Sequence, residues 1–303
     1  MATICITGGT GLIGKALTHY LIAKGHAIIV LSRTEKPGLH KLVTYRQWNP
    51  EKGTIDESAI AAADYIIHLA GAGVADKRWS KKRKEEIKQS RVQSSALLVD
   101  ALTRIPNKVQ AVVSASGIGW YGPDNGKTFT ETEPHFNDFL GTTCLEWENS
   151  IEPVTQLGIR LVKLRTGIVL SNDGGAFAEF KKPVPFGLAA ILGSGKQIVS
   201  WIHVLDIVRM YEYALDNKEL SGVFNAAAPN PVTNKELTVA IAKKMKGNAF
   251  ITIPVPSVAL QLILGEMSVE VLKSTTVSAD KIRNSGFNFL YPTLDAAINE
   301  LIP

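Results

Sequence analysis

Gly8-Gly9-Thr10-Gly11-Leu12-Ile13-Gly14 is the stretch on which the fold of this chain turns. Before it, Ile4–Thr7 is an apolar run of strand type; after it, Leu12–Lys24 carries a helical pattern. Glycines at such a junction allow a tight turn, let backbone N–H groups approach a pyrophosphate, and let helix and strand pack closely. The helix that follows points its free N–H groups and the positive end of its dipole at an anion. A glycine motif alone says little, because Gly-rich turns that hold nothing are common. With a strand before it and a helix after it, the motif implies a nicotinamide dinucleotide.

Working outward, Ala27–Ser32 reads as the second strand, Tyr65–Leu69 and Ala111–Ser114 as later ones, and Ser80–Leu102 as a long amphipathic helix between them. Short β-branched runs alternating with helices imply a parallel sheet with right-handed crossovers. The expected fold is α/β, a Rossmann doubly wound parallel sheet with a smaller C-terminal α/β lobe. Arg160–Leu170 reads as one more strand, and Asn172-Asp173-Gly174-Gly175 as a turn after it. Pro183–Gly195, rich in Pro and Gly, reads as a long loop that would close as a lid over the nicotinamide end. Trp201–Leu215 reads as the return to the sheet. These divisions place a dinucleotide-binding domain at 1–170, with 198–228 returning to it, and a smaller substrate-side lobe at 171–303.

With 303 residues, 45% of them hydrophobic, the chain can build a large core. No run of about 20 apolar residues is present, so neither a spanning helix nor any membrane partner is expected. Met1–Ile6 enters a strand pattern with no charged leader, which argues against secretion. Cys5 and Cys144 lie in unlike elements and make no disulfide framework, which fits a reducing cytoplasm. The net charge of +5 suits an anionic small molecule and does not by itself imply nucleic acid. Oligomeric state is not encoded in any motif.

The second strand ends in Ser32-Arg33, where an NAD-preferring site would place Asp or Glu to hold the ribose 2′-OH. A hydroxyl and a guanidinium suit a 2′-phosphate instead, so the expected cofactor is NADP. Arg33 as a solvated strand-end residue is the competing view, and Glu35, two residues on, is an alternative ribose ligand.

Further stretches carry a family likeness. His68-Leu69-Ala70-Gly71, Arg78-Trp79-Ser80, Ser90-Arg91-Val92, Ser114-Ala115-Ser116-Gly117 and Trp120-Tyr121-Gly122 are followed by Arg165-Thr166-Gly167, Gly193-Ser194-Gly195-Lys196-Gln197, Ser200-Trp201-Ile202-His203 and Gly265-Glu266-Met267. With the glycine turn, they resemble the extended short-chain dehydrogenase/reductases. Within these, the chain is most similar to an atypical subfamily of epimerase family proteins regarded as nucleotide-sugar epimerases. The likeness runs from Ile4 to about Leu301; Leu188-Ala189-Ala190 departs from a glycine-richer loop in relatives. The resemblance implies NADP, with Ser32 and Arg33 at the 2′-phosphate, Leu69 and Ala70 along the adenosine side, and Gly71, Glu86, Arg91 and Arg165 near the cofactor. For Glu86, pairing with Lys82 or Arg83 on its own helix is the alternative. The function implied is an NADP-dependent oxidoreductase or epimerase with a sugar-like or nucleotide-linked substrate.

Ordinary members of that group use Ser, then Tyr-x-x-x-Lys on the next helix, with tyrosine moving the proton and lysine lowering its pKa. Ser116 fits the serine role, or else caps backbone at a strand end. Leu140 stands in the tyrosine position and Cys144 in the lysine position, and neither can do that chemistry. Tyr121 is the candidate substitute, with packing beside Trp120 and Pro123 as its alternative. His203, Cys144, Gln197 and Trp201 are further candidates, each with a structural alternative: His203 orienting a loop ahead of an Asp206 cap, the others as packing. The gap admits a second class of function, an NADP(H)-binding sensor or scaffold with little turnover. No metal-ligand cluster is expected. The basic run Lys77, Arg78, Lys81, Lys82, Arg83, Lys84, Lys88 is interrupted by Glu85 and Glu86 and lacks stacking aromatics, so it reads as a solvated helix start and not a nucleic-acid site. Trp79 is expected to anchor that helix.

Overall fold

The computed structural model describes residues 1–34 and 40–303, so Glu35 lies outside the described residues. The chain runs β1 (Thr3–Thr7), α1 (Leu12–Ala23), β2 (Ala27–Ser32), β3 (Val43–Asn49), β4 (Thr54–Ile55), α2 (Glu57–Ala62), β5 (Tyr65–His68), α3 (Lys81–Arg104), β6 (Ala111–Gly117), α4 (Phe139–Ile151) and β7 (Arg160–Thr166). It continues through β8 (Ile168–Leu170), α5 (Gly175–Lys181), β9 (Leu188–Leu192), β10 (Ile198–Val199), β11 (Trp201–His203), α6 (Val204–Asp216) and β12 (Gly222–Ala226). The last elements are β13 (Val232–Thr233), α7 (Asn234–Lys246), β14 (Ile251–Val255), α8 (Ser257–Leu264), α9 (Ser268–Leu272), α10 (Asp280–Asn284) and α11 (Leu294–Leu301).

The large sheet has the order β12-β7-β6-β5-β1-β2-β3-β4, parallel throughout except for β4 at the edge. Both faces are covered. Ile4, Ile6, Ile28, Val30, Ile67 and Val162 point toward α1 and α6, where Leu17, Leu21, Ile207 and Tyr211 meet them. Cys5, Ile29, Leu31, Ile66, Val112 and Leu161 point the other way, toward Leu97, Leu98 and Ala101 of α3. Burial on both faces is why these strands read as continuous apolar runs instead of alternating ones. A further core joins Leu170, Phe177, Trp201, Leu237, Ile241 and Ile298 in the C-terminal part. Among the described residues, no helix is long and apolar enough to cross a membrane.

Three expectations are corrected. Arg160–Leu170 is two strands, because Gly167 sits against the neighbouring chain: a Cβ there would lie 2.5 Å from Ser200 O. β7 stays in the large sheet and β8 leaves it to pair with β11. The return to the large sheet is β12, since Trp201–His203 pairs only with β8 and 204–216 is helix. Pro183–Gly195 is not a free lid: Leu188–Leu192 is strand β9, in parallel register with Ile251–Val255. Its proline and glycine content marks the turns at its ends; the backbone between them is committed to a ladder.

Candidate dinucleotide and active site

The chain lays down β2 and β3 on one side of β1, then returns to place β5, β6 and β7 on the other. The switch point therefore lies between β1 and β5, and ligands of such sheets bind at the carboxyl ends there. Register lines up that edge. Thr7 is level with Leu31 of β2 and His68 of β5, so the glycine turn, Ser32 and Leu69 are neighbours. Farther along, Ser116 is level with Arg165, and Arg165 with Asn225.

The glycine turn has no room for side chains. Gly8 has φ +67°, and a Cβ on it would lie 2.8 Å from the Leu69 carbonyl. A Cβ on Gly14 would collide with Gly8 O and lie 2.6 Å from Gly9 Cα. Gly11 is the N-cap of α1 and supplies no side-chain hydrogen bond, and the first turn has no acidic residue. Uncapped N–H groups at the carboxyl end of β1 are the donor set that a pyrophosphate uses. The residues present thus fit a dinucleotide. Thr10 and Gly11 are exposed, Leu12 and Ile13 half-buried. At the end of β2, Ser32 is half-buried and Arg33 exposed.

A buried chain of hydrogen bonds holds the facing wall. Thr7 Oγ1 accepts from Leu69 N at 3.0 Å and Ala70 N at 3.1 Å. Its one proton therefore goes to His68 Nδ1, 2.7 Å away. His68 must then carry its proton on Nε2, which donates to Ser95 Oγ at 3.1 Å, and Ser95 Oγ donates to Arg91 O. Arg91 Nη1 donates to Ala72 O at 3.0 Å and Ile87 O at 2.8 Å, beside Gly71. Burial lowers the His68 pKa to about 3. The folded value lies below the unfolded one, so stability from neutral His68 is complete above pH 6.5 and drains as pH falls toward 3. Urea unfolding should show a slope approaching about 1.4 kcal/mol per pH unit in that window. His68→Gln should flatten it; an unchanged slope would remove His68 as its source.

The second half of the edge is a buried ionic network. Arg165, 2% exposed, donates from Nε to Glu148 Oε1 at 2.8 Å and from Nη2 to Glu148 Oε2 at 3.0 Å. Its Nη1 donates to Tyr121 Oη at 3.1 Å, and its plane lies 3.6 Å from the Trp120 ring centroid. Burial would lower the guanidinium pKa, but the hydrogen bonds and charge of Glu148 outweigh it and hold it above its ordinary value. Ser116 Oγ donates to Glu148 Oε1 at 2.7 Å. Tyr121 Oη donates to Asn225 Oδ1 at 2.8 Å, and the ring stacks on Phe129. Burial first of all pushes the Tyr121 phenol up to about 12.

These contacts decide several sequence candidates. Tyr121 is 1% exposed with its hydroxyl taken on both sides, so the structure gives it a packing and bracing place instead of a proton-transfer one. The side-chain donors of Arg165 are likewise spent inside the protein. Glu86 is exposed and pairs with Arg83 at 2.8 Å. Ser116 stays at the carboxyl edge, but its proton is committed to Glu148. Cys144 is buried with Sγ donating to Gly117 O, and burial pushes its thiol up to about 11, so it is an inert filler. His203 itself caps α6, its Nδ1 accepting from Leu205 N, while Asp206 accepts from Leu290 N and Tyr291 N. Gln197 and Trp201 are buried and bonded to Leu192 O and Asn230 O. Trp79 packs edge-on against Phe139 of α4, 4.8 Å between centroids. Among the described residues no group of acidic, His or Cys side chains suits a metal.

Glu148 and Asn225 were missed. A signal for Glu148 exists: Leu140, Cys144 and Glu148 recur every four residues and so share one helix face. That face lies along β6 and its exit, with Leu140 against Gly119, Cys144 against Gly117 and Glu148 against Ser116.

A glycine turn between a parallel strand and an uncapped helix, at the switch point of a doubly wound sheet, defines a Rossmann protein of the nicotinamide-dinucleotide class. The model of the NAD dependent epimerase/dehydratase family matches residues 4–139, and a domain of unknown function, DUF1731, matches 255–301. Epimerase family protein YfhF of Bacillus subtilis is 36% identical over 300 residues, covering 99% of this chain and 97% of that one. Human epimerase family protein SDR39U1, solved with NADPH, superposes with a TM-score of 0.88 at 29% identity and 99% coverage of both chains. A nucleoside-diphosphate sugar epimerase from Corynebacterium glutamicum gives a TM-score of 0.79 at 29% identity, covering 99% of this chain and 58% of that one. The chain belongs to the NAD dependent epimerase/dehydratase family, among its epimerase family proteins.

Proposed function

We propose that the chain is an NADP(H)-dependent epimerase or oxidoreductase of the extended short-chain type, acting in the cytoplasm on a sugar-like or nucleotide-linked substrate. The observation that carries the reading is the cradle at Gly8–Gly14, whose glycines have no room for side chains, opening beside Ser32-Arg33 with, among the described residues, no carboxylate at the end of β2. The human relative solved with NADPH and the sugar-nucleotide epimerase relative support it. On this reading 1–170 with 198–228 bind the cofactor, and 171–303 form the substrate side. Gly8, Gly9, Thr10, Gly11, Leu12, Ile13 and Gly14 hold the pyrophosphate. Ser32 and Arg33 hold the 2′-phosphate. Leu69, Ala70 and Gly71 form the opposite wall, braced by Arg91. A nicotinamide dinucleotide held by these residues would supply hydride-transfer chemistry to the site. Ser116 Oγ, its proton donated to Glu148, meets a substrate hydroxyl as an acceptor.

Arg33→Ala should weaken NADPH selectively. Losing a charge-assisted contact costs about 1.5–3 kcal/mol, or roughly 10–150-fold in Kd. NADH affinity should stay nearly unchanged. Fluorescence titration of both nucleotides checks this, and equal losses would sink the assignment of Arg33. A second reading, an NADP(H)-binding sensor or scaffold with little turnover, is favoured by one observation. The positions of the usual tyrosine and lysine are packed shut by Leu140 and Cys144.

A further inference from the structure

Two features lie outside the dinucleotide crevice, and the fold brings them together from opposite ends of the chain. The first is α8, Ser-Val-Ala-Leu-Gln-Leu-Ile-Leu, which has no charged residue and buries only Leu260. Val258, Leu262 and Ile263 stand 62%, 73% and 65% exposed, and Val269 of the adjoining α9 stands 62% exposed. Single exposed aliphatics are ordinary on a surface; four on adjoining helices make a patch.

The second is the basic run at the start of α3. Its later members are neutralised: Arg83 pairs with Asp76 and Glu86, Lys84 with Glu266, and Lys88 with Glu85 and Glu146. Lys77, Arg78, Lys81 and Lys82 are exposed and, among the described residues, have no ion-pair partner. Gly265, which ends α8, is where the two features meet. A Cβ on it would lie 3.2 Å from Arg78 Nη2, and the next residue, Glu266, is the partner of Lys84.

Aliphatic side chains bordered by unpaired cations define the chemistry of the missing partner. Nucleic acid would satisfy the cations and leave the aliphatic patch in water, and the one aromatic within the basic run, Trp79, is engaged with Phe139 and Val74 O and not set out to stack a base. A neutral apolar partner would satisfy the patch and leave the cations. An anionic lipid surface satisfies both, with head groups against the cations and the aliphatic residues entering the head-group and acyl boundary. We propose that this face docks the protein on an anionic membrane surface through α8 and Val269, flanked by Lys77, Arg78, Lys81 and Lys82. The protein would lie on the bilayer, since α8 is far too short to cross it. The sequence expectation of no membrane partner rested on the lack of a run of about 20 apolar residues, which bears on crossing a bilayer and not on lying against one.

Co-sedimentation of the full chain with vesicles tests this, using mixed phosphatidylglycerol and phosphatidylcholine against phosphatidylcholine alone. The protein should pellet with the anionic vesicles at least about tenfold more than with the neutral ones, and high salt should release it. Leu262→Ser with Ile263→Ser, and separately Lys81→Gln with Lys82→Gln, should each cut binding by about fivefold or more. These positions are exposed, so the unfolding midpoint should not move. A protein that stays in the supernatant, or that pellets equally with neutral vesicles, overturns the proposal. So does a vesicle-free dimer, seen by light scattering, that Leu262→Ser with Ile263→Ser splits, because a second copy would then cover α8.

Discussion

Replacing Arg165 by Met should destabilise the protein by about 3–5 kcal/mol, among the largest effects available to a single side chain here. The reason is the charge left behind. Glu148 is 4% exposed, and its two oxygens accept from Arg165 Nε and Nη2 and from Ser116 Oγ. Without the guanidinium, a carboxylate is stranded between β6, β7 and α4. Arg165→Lys should recover little, because an ammonium cannot reproduce the two-pronged geometry, reach Tyr121 Oη and stack on Trp120 at once. Removing both charges with Arg165→Met and Glu148→Leu should cost less than Arg165→Met alone, since no buried ion is left unpaired. Urea unfolding of the four proteins checks the order. A loss below about 1 kcal/mol for Arg165→Met would mean that the pair is solvated and that the edge from Ser116 to Asn225 is not held by it.

The parts of the fold that were legible in the sequence are those with local causes. The glycine turn is announced within seven residues by its spacing: Gly11 and Gly14 answer to the backbone of Gly8 and Gly9, while Gly8 and Gly9 themselves answer to Leu69 and Val30, which the motif does not show. Strands β1, β2, β5 and β6 were legible as apolar runs buried on two faces, whereas β3, Val43–Asn49, is mostly half-exposed and polar and gave no such signal. Legibility fails where the cause is remote. Gly167 breaks a strand because Ser200 lies against it, and nothing near residue 167 announces Ser200. Leu188–Leu192 looked like loop because its partner, Ile251–Val255, is some sixty residues away. Arg165 and Glu148 belong to different elements, and they meet only because the register of β6 with β7 sets Ser116 level with Arg165 and α4 lays Glu148 against both. Tyr121 was readable as a polar tip near the active edge. That its tip is consumed depends on Asn225 arriving from β12, the far edge strand of the sheet.

Leu140→Tyr alone should raise NADPH-dependent reduction of a generic dicarbonyl by about 10²–10⁴-fold over the parent, the range a positioned acid or base supplies. Leu140 is half-buried in the first turn of α4, on the helix face that also carries Cys144 and Glu148. It packs where a Cβ on Gly119 would lie 3.0 Å away, just past the strand that ends in Ser116 and Gly117. A tyrosine there extends along the carboxyl edge of β6 instead of into the core. The missing lysine needs no replacement, because a cation already stands beside its place. Arg91 is close enough to Cys144 for its charge to act on the thiol, and it is fixed by Ala72 O, Ile87 O and the Trp147 ring. That charge would favour the tyrosinate as lysine does elsewhere. Adding Cys144→Lys should therefore hurt. It forces a second buried cation next to Arg91, and the double variant should unfold at a lower temperature and reduce the dicarbonyl no faster than Leu140→Tyr. Initial rates at 340 nm and thermal unfolding read both effects. A parent that already turns over quickly, with a pH profile set by one essential group, would overturn the low-turnover reading and place the proton donor outside the Leu140–Cys144–Glu148 face.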